Sequence, residues 1–201
     1  MRSARILTVC GVVALGAQTA AAQTNVNPVD KFAWGENIGF LNFYDANATM
    51  DGVAVLENHL RGWVWGENVG WINVGSGPTP YLNTNNTNFG VNLNPATGDL
   101  SGFAWGENIG WINFNTAPAV GSQGARFDRI AGRFKGFAWG ENVGWINLDD
   151  ANVFVRACAY DFNGDGSTGP GDLLTLLASF GNPYGPGDLL GLLASFGDCP
   201  G

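Results

Sequence analysis

The sequence predicts a mainly β fold: a four-unit antiparallel β-repeat array, propeller-like or barrel-like, followed by a small α-helical module. Three observations carry this. A decapeptide recurs four times, as WGENIGFLNF (34–43), WGENVGWINV (65–74), WGENIGWINF (105–114) and WGENVGWINL (139–148). The stretches between copies are rich in Asn, Gly, Thr and Pro, as in GSGPTPYLNTNNTNFG, and read as loops. The chain then changes character after residue 157, to an acidic Gly-rich loop and a duplicated leucine-rich stretch.

Residues 1–22 read as a secretory signal. Arg2 and Arg5 precede the apolar run ILTVCGVVALGA, and Ala20–Ala22 suits a cleavage site. The run is too short to span a bilayer, and nothing later in the chain would span one. Val9 before Cys10 argues against lipid attachment. Without this segment, seven basic residues face 17 acidic ones, a net charge of −10. That disfavours nucleic acid and anionic membranes as partners. It suits an extracellular or cell-surface location.

The repeat domain is expected over residues 23–157. The first Trp of each copy recurs at intervals of 31, 40 and 34 residues, the sign of equivalent supersecondary units. Within one unit, GFAW (102–105) and WINF (111–114) are β-prone and flank GENIG, whose glycines and Asn suit a tight hairpin. If Trp105 faces Trp111, Phe103 faces Asn113 on the same side. Ala104 then faces Ile112, and Gly102 faces Phe114, on the other. Large residues meet small ones there. Both faces are apolar, which predicts cover on both sides. A third strand precedes each later hairpin: GVAVL (52–56), FGVNLN (89–94) and ARFD (125–128). None precedes the first, but NVFVRA (152–157) follows the fourth. The last strand is therefore expected to complete the first unit and close a ring of about 12 strands. A linear stack of sheets is the alternative.

Four of the five Glu residues are the repeat ones, Glu36, Glu67, Glu107 and Glu141. Turn chemistry is one reading: Asn37, Asn68, Asn108 and Asn142 adopt the left-handed conformation, and the carboxylates accept backbone N–H bonds. The other is a glycan surface. Trp34, Trp65, Trp105 and Trp139 would stack on sugar rings, and Glu36, Glu67, Glu107 and Glu141 would take hydroxyl hydrogen bonds, four weak sites gaining by multivalency. That reading needs exposed rings, whereas such clusters are more often core. The second repeated Asn (Asn42, Asn73, Asn113, Asn147) is polar within an apolar strand and is expected to bond a neighbouring unit's backbone. Four equivalent Glu residues do not form an acid/base pair with separated roles, and the sole His, His59, lies in a turn, so no catalytic set is expected.

Residues 158–201 form the third expected segment. DFNGDGSTGPGD (161–172) matches the EF-hand loop pattern. Asp161, Asn163 and Asp165 would ligate one Ca²⁺ through side chains and Ser167 through its carbonyl. Water would serve at Gly169, and Asp172 would close the shell. GPGDLLTLLASFG (169–181) recurs as GPGDLLGLLASFG (185–197). Leu173, Leu176, Leu177 and Phe180 fall on one helical face, so two short helices are expected to pack these faces together. Cys158 and Cys199 remain as an even pair at the ends of the segment and read as a disulfide.

This segment resembles the dockerin family, in particular the GC-type dockerin of exported bacterial proteins. The resemblance rests on Asp161-Phe-Asn163-Gly-Asp165-Gly166, Asp172-Leu173, the duplicated helix and the flanking cysteines. It implies calcium-dependent folding and docking onto a cohesin-like or cell-surface receptor. NPYGPGD (182–188) keeps only Asp188 of a second loop, so one calcium is implied. The repeats are also similar to GWAWxENIGWINF-type repeats in exported bacterial proteins. The expected whole is a secreted, non-catalytic protein that displays a Trp-rich domain on a docking module, with polysaccharide as the alternative ligand of the repeats.

Overall fold

A computed structural model describes residues 24–46, 52–75, 81, 83 and 85–199. The proposed signal segment lies outside them. The chain is mainly β. The first hairpin is β1 (Val26–Gly35) and β2 (Gly39–Asn42), followed by the short β3 (Ala54–Val55). The second is β4 (Leu60–Gly66) and β5 (Gly70–Gly75), followed by β6 (Gly90–Leu93). The third is β7 (Leu100–Gly106) and β8 (Gly110–Asn113). A short α1 (Ala117–Val120), β9 (Arg126–Asp128) and β10 (Arg133–Lys135) lead to the fourth, β11 (Phe137–Gly140) and β12 (Gly144–Asn147). β13 (Val155–Ala157) follows.

The four hairpins close into an eight-stranded antiparallel barrel in the order β1-β2-β4-β5-β7-β8-β11-β12, with β12 returning to β1. The seams repeat one register. Asn42 pairs with Trp65, Asn73 with Trp105, Asn113 with Trp139, and Asn147 with Trp34. The expected ring of about 12 strands is thus corrected to eight. Each hairpin meets the next directly, which leaves the third strands beside the barrel. There β3 pairs with β4, β6 with β7, and β13 with β1, so the last of them does complete the first unit. The ARFD strand pairs instead with β10, and only Gly124 bridges to Phe137 of the fourth hairpin.

Within the hairpins the register is the expected one: Phe103 faces Asn113, Ala104 faces Ile112 and Trp105 faces Trp111. The Ala/Ile side turns inward. Ala33, Val64, Ala104 and Ala138 meet Leu41, Ile72, Ile112 and Ile146, all buried. Ile38, Val69, Ile109 and Val143 plug the end at the hairpin tips. Phe43, Val74, Phe114 and Leu148, each at a hairpin's exit, extend the core beyond Leu41, Ile72, Ile112 and Ile146. The space left among these side chains is about 10 Å³, so the interior is a packed core and carries no channel.

Residues 158–199 add a second, smaller core. β14 (Ser167–Thr168) pairs with β15 (Gly197–Asp198), and between them lie α2 (Pro170–Ala178) and α3 (Pro186–Ala194). Both helices start alike: Pro at the first turn, and Asp172 or Asp188 accepting the N–H of Gly169 or Gly185 at 2.9 Å. A disulfide joins Cys158 to Cys199. Tyr160, Phe162, Leu176, Tyr184 and Leu192 are buried together, with Leu173 and Leu189 packed against them. Leu177 and Phe180, expected on the packed face, are instead exposed, because Tyr160, Phe162 and Tyr184 fill that core from one side only.

This segment is fastened to the barrel. Arg129, in the turn after β9, is buried and donates to the carbonyls of Ala159, Leu56 and Glu57, its guanidinium 4.8 Å from the Phe162 ring. Burial lowers its pKa from the ordinary guanidinium value. Asn25, just before β1, donates to Val55 O at 2.9 Å and to Asp161 Oδ2 at 3.3 Å.

Candidate functional site

The decapeptide can now be read letter by letter. The glycine after the first Trp (Gly35, Gly66, Gly106, Gly140) lies under the tip residue: a Cβ there would meet Ile38, Val69, Ile109 or Val143 at 2.4–2.6 Å. The tip Asn donates its side-chain amide to the preceding hairpin around the barrel: Asn68 to Ile38 O, Asn108 to Val69 O, Asn142 to Ile109 O and Asn37 to Val143 O, all at 3.0–3.1 Å. These four bonds form a closed cycle around the barrel end. The left-handed position is the glycine closing the tip, Gly39, Gly70, Gly110 or Gly144, with φ of 75–79°. The expected left-handed Asn is corrected on that point.

The second repeated Asn caps its own strand exit. Asn42, Asn73, Asn113 and Asn147 each accept, through Oδ1, the N–H two residues on, at 2.7–3.0 Å. The partner is not a neighbouring unit, because the strand must turn away from the barrel at that point.

The aromatics lie outside. Of the eight Trp residues, all but Trp65 are 37–49% exposed. The expectation that both hairpin faces are covered is overturned. A filled barrel of Ala, Val, Leu and Ile has no room for a second large face, so the Trp face turns outward. Trp105 and Trp111 meet edge to face at 4.6 Å and 63°, and Trp65 and Trp71 at 4.8 Å and 62°.

At three seams the outer wall forms a groove. The second seam holds Trp71 and Asn73 from one hairpin, Trp105 and Glu107 from the next, and Phe89, in about 760 Å³. The third holds Trp111, Asn113, Trp139 and Glu141 in about 530 Å³. The fourth holds Trp145, Asn147, Trp34 and Glu36 in about 480 Å³. At the first seam the corresponding residues are Phe40, Asn42, Trp65 and Glu67, with Phe in place of the second Trp. Trp and Glu of one repeat are thus joined by Trp and Asn of the previous one. Sequence reasoning missed Trp71, Trp111 and Trp145 as site residues. The seam register, which brings them there, was not written in any single repeat.

Among the described residues the expected bonds to the repeat carboxylates are absent. Glu36, Glu67, Glu107 and Glu141 are exposed. None joins the four ion pairs among the described residues, and none of the tip hydrogen bonds reaches them.

No protein-family model, curated protein or solved structure matches this chain.

The proposed metal loop can be tested against its own hydrogen bonds. Asp161 is buried. Its Oδ1 accepts Gly164 N at 2.8 Å and Asp165 N at 3.1 Å, and its Oδ2 accepts Gly166 N at 3.0 Å. Burial raises its pKa, and these amide bonds oppose the rise. Asp172 Oδ1 accepts Phe162 N at 2.8 Å. Asp165 Oδ1 accepts both the N–H and the hydroxyl of Ser167, and Asn163 donates to Asp165 Oδ2. Among the described residues no three carboxylate, imidazole or thiol groups gather as a metal ligand set. The all-oxygen donors suit a hard cation, and as arranged they hold the loop through backbone amides.

Proposed function

We propose that this is a secreted, non-catalytic carbohydrate-binding protein, whose barrel holds glycan along its outer wall while residues 158–201 dock it to a partner. One observation carries the first part: three successive seams present exposed Trp rings beside a Glu and an Asn. Aromatic faces take sugar rings, and carboxylate and amide take hydroxyls. In the repeat, both Asn positions make a side-chain hydrogen bond, while Glu makes none among the described residues. Among the described residues each groove is lined by a single carboxylate, and glycoside hydrolysis ordinarily needs two, so binding is favoured over catalysis.

The docking part is supported by a duplicated apolar face. Leu174, Leu177 and Phe180 are exposed, and so are their repeats Leu190, Leu193 and Phe196. Such a patch marks an interaction site. It suits the cohesin-like or cell-surface receptor that the dockerin resemblance implies. One calcium ion at Asp161, Asn163, Asp165, Ser167 and Asp172 belongs to the same proposal. The order of donors supports it, and the carboxylates of Asp161 and Asp172 keep lone pairs beyond those that accept the loop amides.

The test of the first part is Trp fluorescence with a neutral quencher and a panel of polysaccharides. Helices α2 and α3 contain no Trp, so the signal reports the barrel. Quenching that one polysaccharide prevents is the expected result. Quenching that none prevents would overturn the reading. For calcium, calorimetry of the full chain should show one binding event that Asp161→Ala removes. Identical heats for the two proteins would exclude the loop as the site.

A further inference from the structure

We infer that the grooves select sugar rings bearing a free amine, a glucosamine-type polymer. This rests on the carbohydrate reading above and narrows it. Among the described residues every groove is lined by one carboxylate, Glu107, Glu141 or Glu36, and by no Lys, Arg or His. The same composition occurs at three independent seams. Each carboxylate is exposed and without an ion-pair partner among the described residues, so its charge is available to a ligand. A neutral sugar would use it only for hydroxyl bonds. A polyanionic sugar would be repelled, by the groove and by the chain's net charge.

Ring geometry adds a second argument. A flat neutral chain lies well on coplanar rings. Here the paired rings that line the grooves meet at 55–85°: Trp105–Trp111 and Trp63–Trp71 at the second seam, Phe103–Trp111 and Phe89–Trp111 at the third, and Phe137–Trp145 at the fourth. They form corners, not a platform. A corner of electron-rich faces beside a carboxylate suits a protruding ammonium group, which gains both from the ring quadrupoles and from the opposite charge.

The molecule contains its own version of this contact. Lys31 Nζ lies 5.5 Å from the Phe32 ring centre and 5.3 Å from that of Tyr44, with Asp45 Oδ2 at 2.6 Å. An ammonium between two rings and a carboxylate is therefore an arrangement this barrel wall already uses. Three such grooves spaced around one barrel would bind a polymer multivalently.

The experiment titrates the full chain with three oligosaccharides of equal length: a glucosamine oligomer, its N-acetylated counterpart and a glucose oligomer. The pH is chosen so that the amines are protonated. The glucosamine oligomer should bind about tenfold tighter than the other two. Replacing the groove carboxylates together (Glu36→Gln, Glu107→Gln, Glu141→Gln) should abolish that preference and leave the weaker neutral binding. Replacing three carboxylates elsewhere (Asp128→Asn, Asp150→Asn, Asp198→Asn) should keep it. Equal affinity for all three sugars overturns the amine preference and leaves the carbohydrate reading standing. A preference that follows net charge in both variants overturns it as well. Binding to none of the three overturns the amine preference, and the carbohydrate reading falls with it only if the polysaccharide panel also gives no protection from quenching.

Discussion

The side-chain amide of Asn37, on the first hairpin, donates to the carbonyl of Val143, on the fourth, at 3.1 Å. The two residues are 106 apart in sequence, and this bond closes the cycle that the other three tip Asn residues begin. Removing one donor should strand a carbonyl at the barrel end. Asn37→Ala is expected to lower stability by about 1 kcal/mol. Urea unfolding measures it, and Asn108→Ala, removing the equivalent bond, should lower stability by a similar amount.

The tip glycines make a sharper prediction. In Gly106→Ala the new methyl would lie 2.6 Å from Ile109 Cγ1, at the plugged end of the core. The expected loss is about 1–3 kcal/mol. Ile109→Ala added to it should recover part of that loss, because the clash disappears with the branched side chain. Strict additivity in the double-mutant cycle would show that the two positions do not meet as described.

His59 gives the barrel an acid-sensitive point. Its ring stacks on Tyr81 at 3.8 Å, and Nδ1 lies 2.7 Å from Asn58 Oδ1. Burial, with a smaller effect of the Arg61 charge, pushes its pKa down to about 4. The folded protein thus keeps His59 neutral where the unfolded chain has already taken up a proton. The stability it protects is complete above pH 6.5 and is lost as pH falls towards 4. His59→Gln should flatten the stability profile across that window by about 1 kcal/mol, allowing for residual solvent. An unchanged profile would assign the acid sensitivity to other groups.

Arg129 joins the two cores, and its loss should be costly. Arg129→Ala leaves the carbonyls of Ala159, Leu56 and Glu57 without their donor and opens space beside Phe162. The expected destabilisation is about 2–4 kcal/mol. Calorimetry should show the wild-type chain melting once and the variant melting in two steps, residues 158–199 first. A variant that still melts in one step would place the coupling elsewhere, for example in Asn25.

Hairpin register was legible in the sequence because each copy contains both strands and the turn between them. Large-small complementarity at Ala104 and Ile112 identified one face correctly. The orientation of that face was not legible. Phe103, Trp105 and Trp111 look as much like core as Ile112 does. What decides is volume: between the paired strands there is space for Ala, Val, Leu and Ile, and the larger Phe43 and Phe114 fit only at the strand exits. The strand count failed for a related reason. A third strand placed by sequence order says nothing about which hairpin edges meet, and here every edge is taken by the next hairpin. Asn113 was correctly read as needing a partner, but the turn after the strand supplied it at Asn115 N. In the C-terminal segment the helices were evident from their duplication. The exposed side of Leu177 and Phe180 was hidden by helical periodicity, which places residues on a face without saying which face is covered.

The four seams share one register while the intervals between repeats differ. The instructions for assembly therefore reside in ten residues, and the connecting segments carry little of the architecture. A chain built this way behaves like a set of interchangeable staves. Exchanging one hairpin for another should preserve the barrel while moving a Phe or a Trp around its circumference. Evolution by copying would meet few obstacles here, and a designer could vary the number and kind of outward-facing rings without redrawing the core.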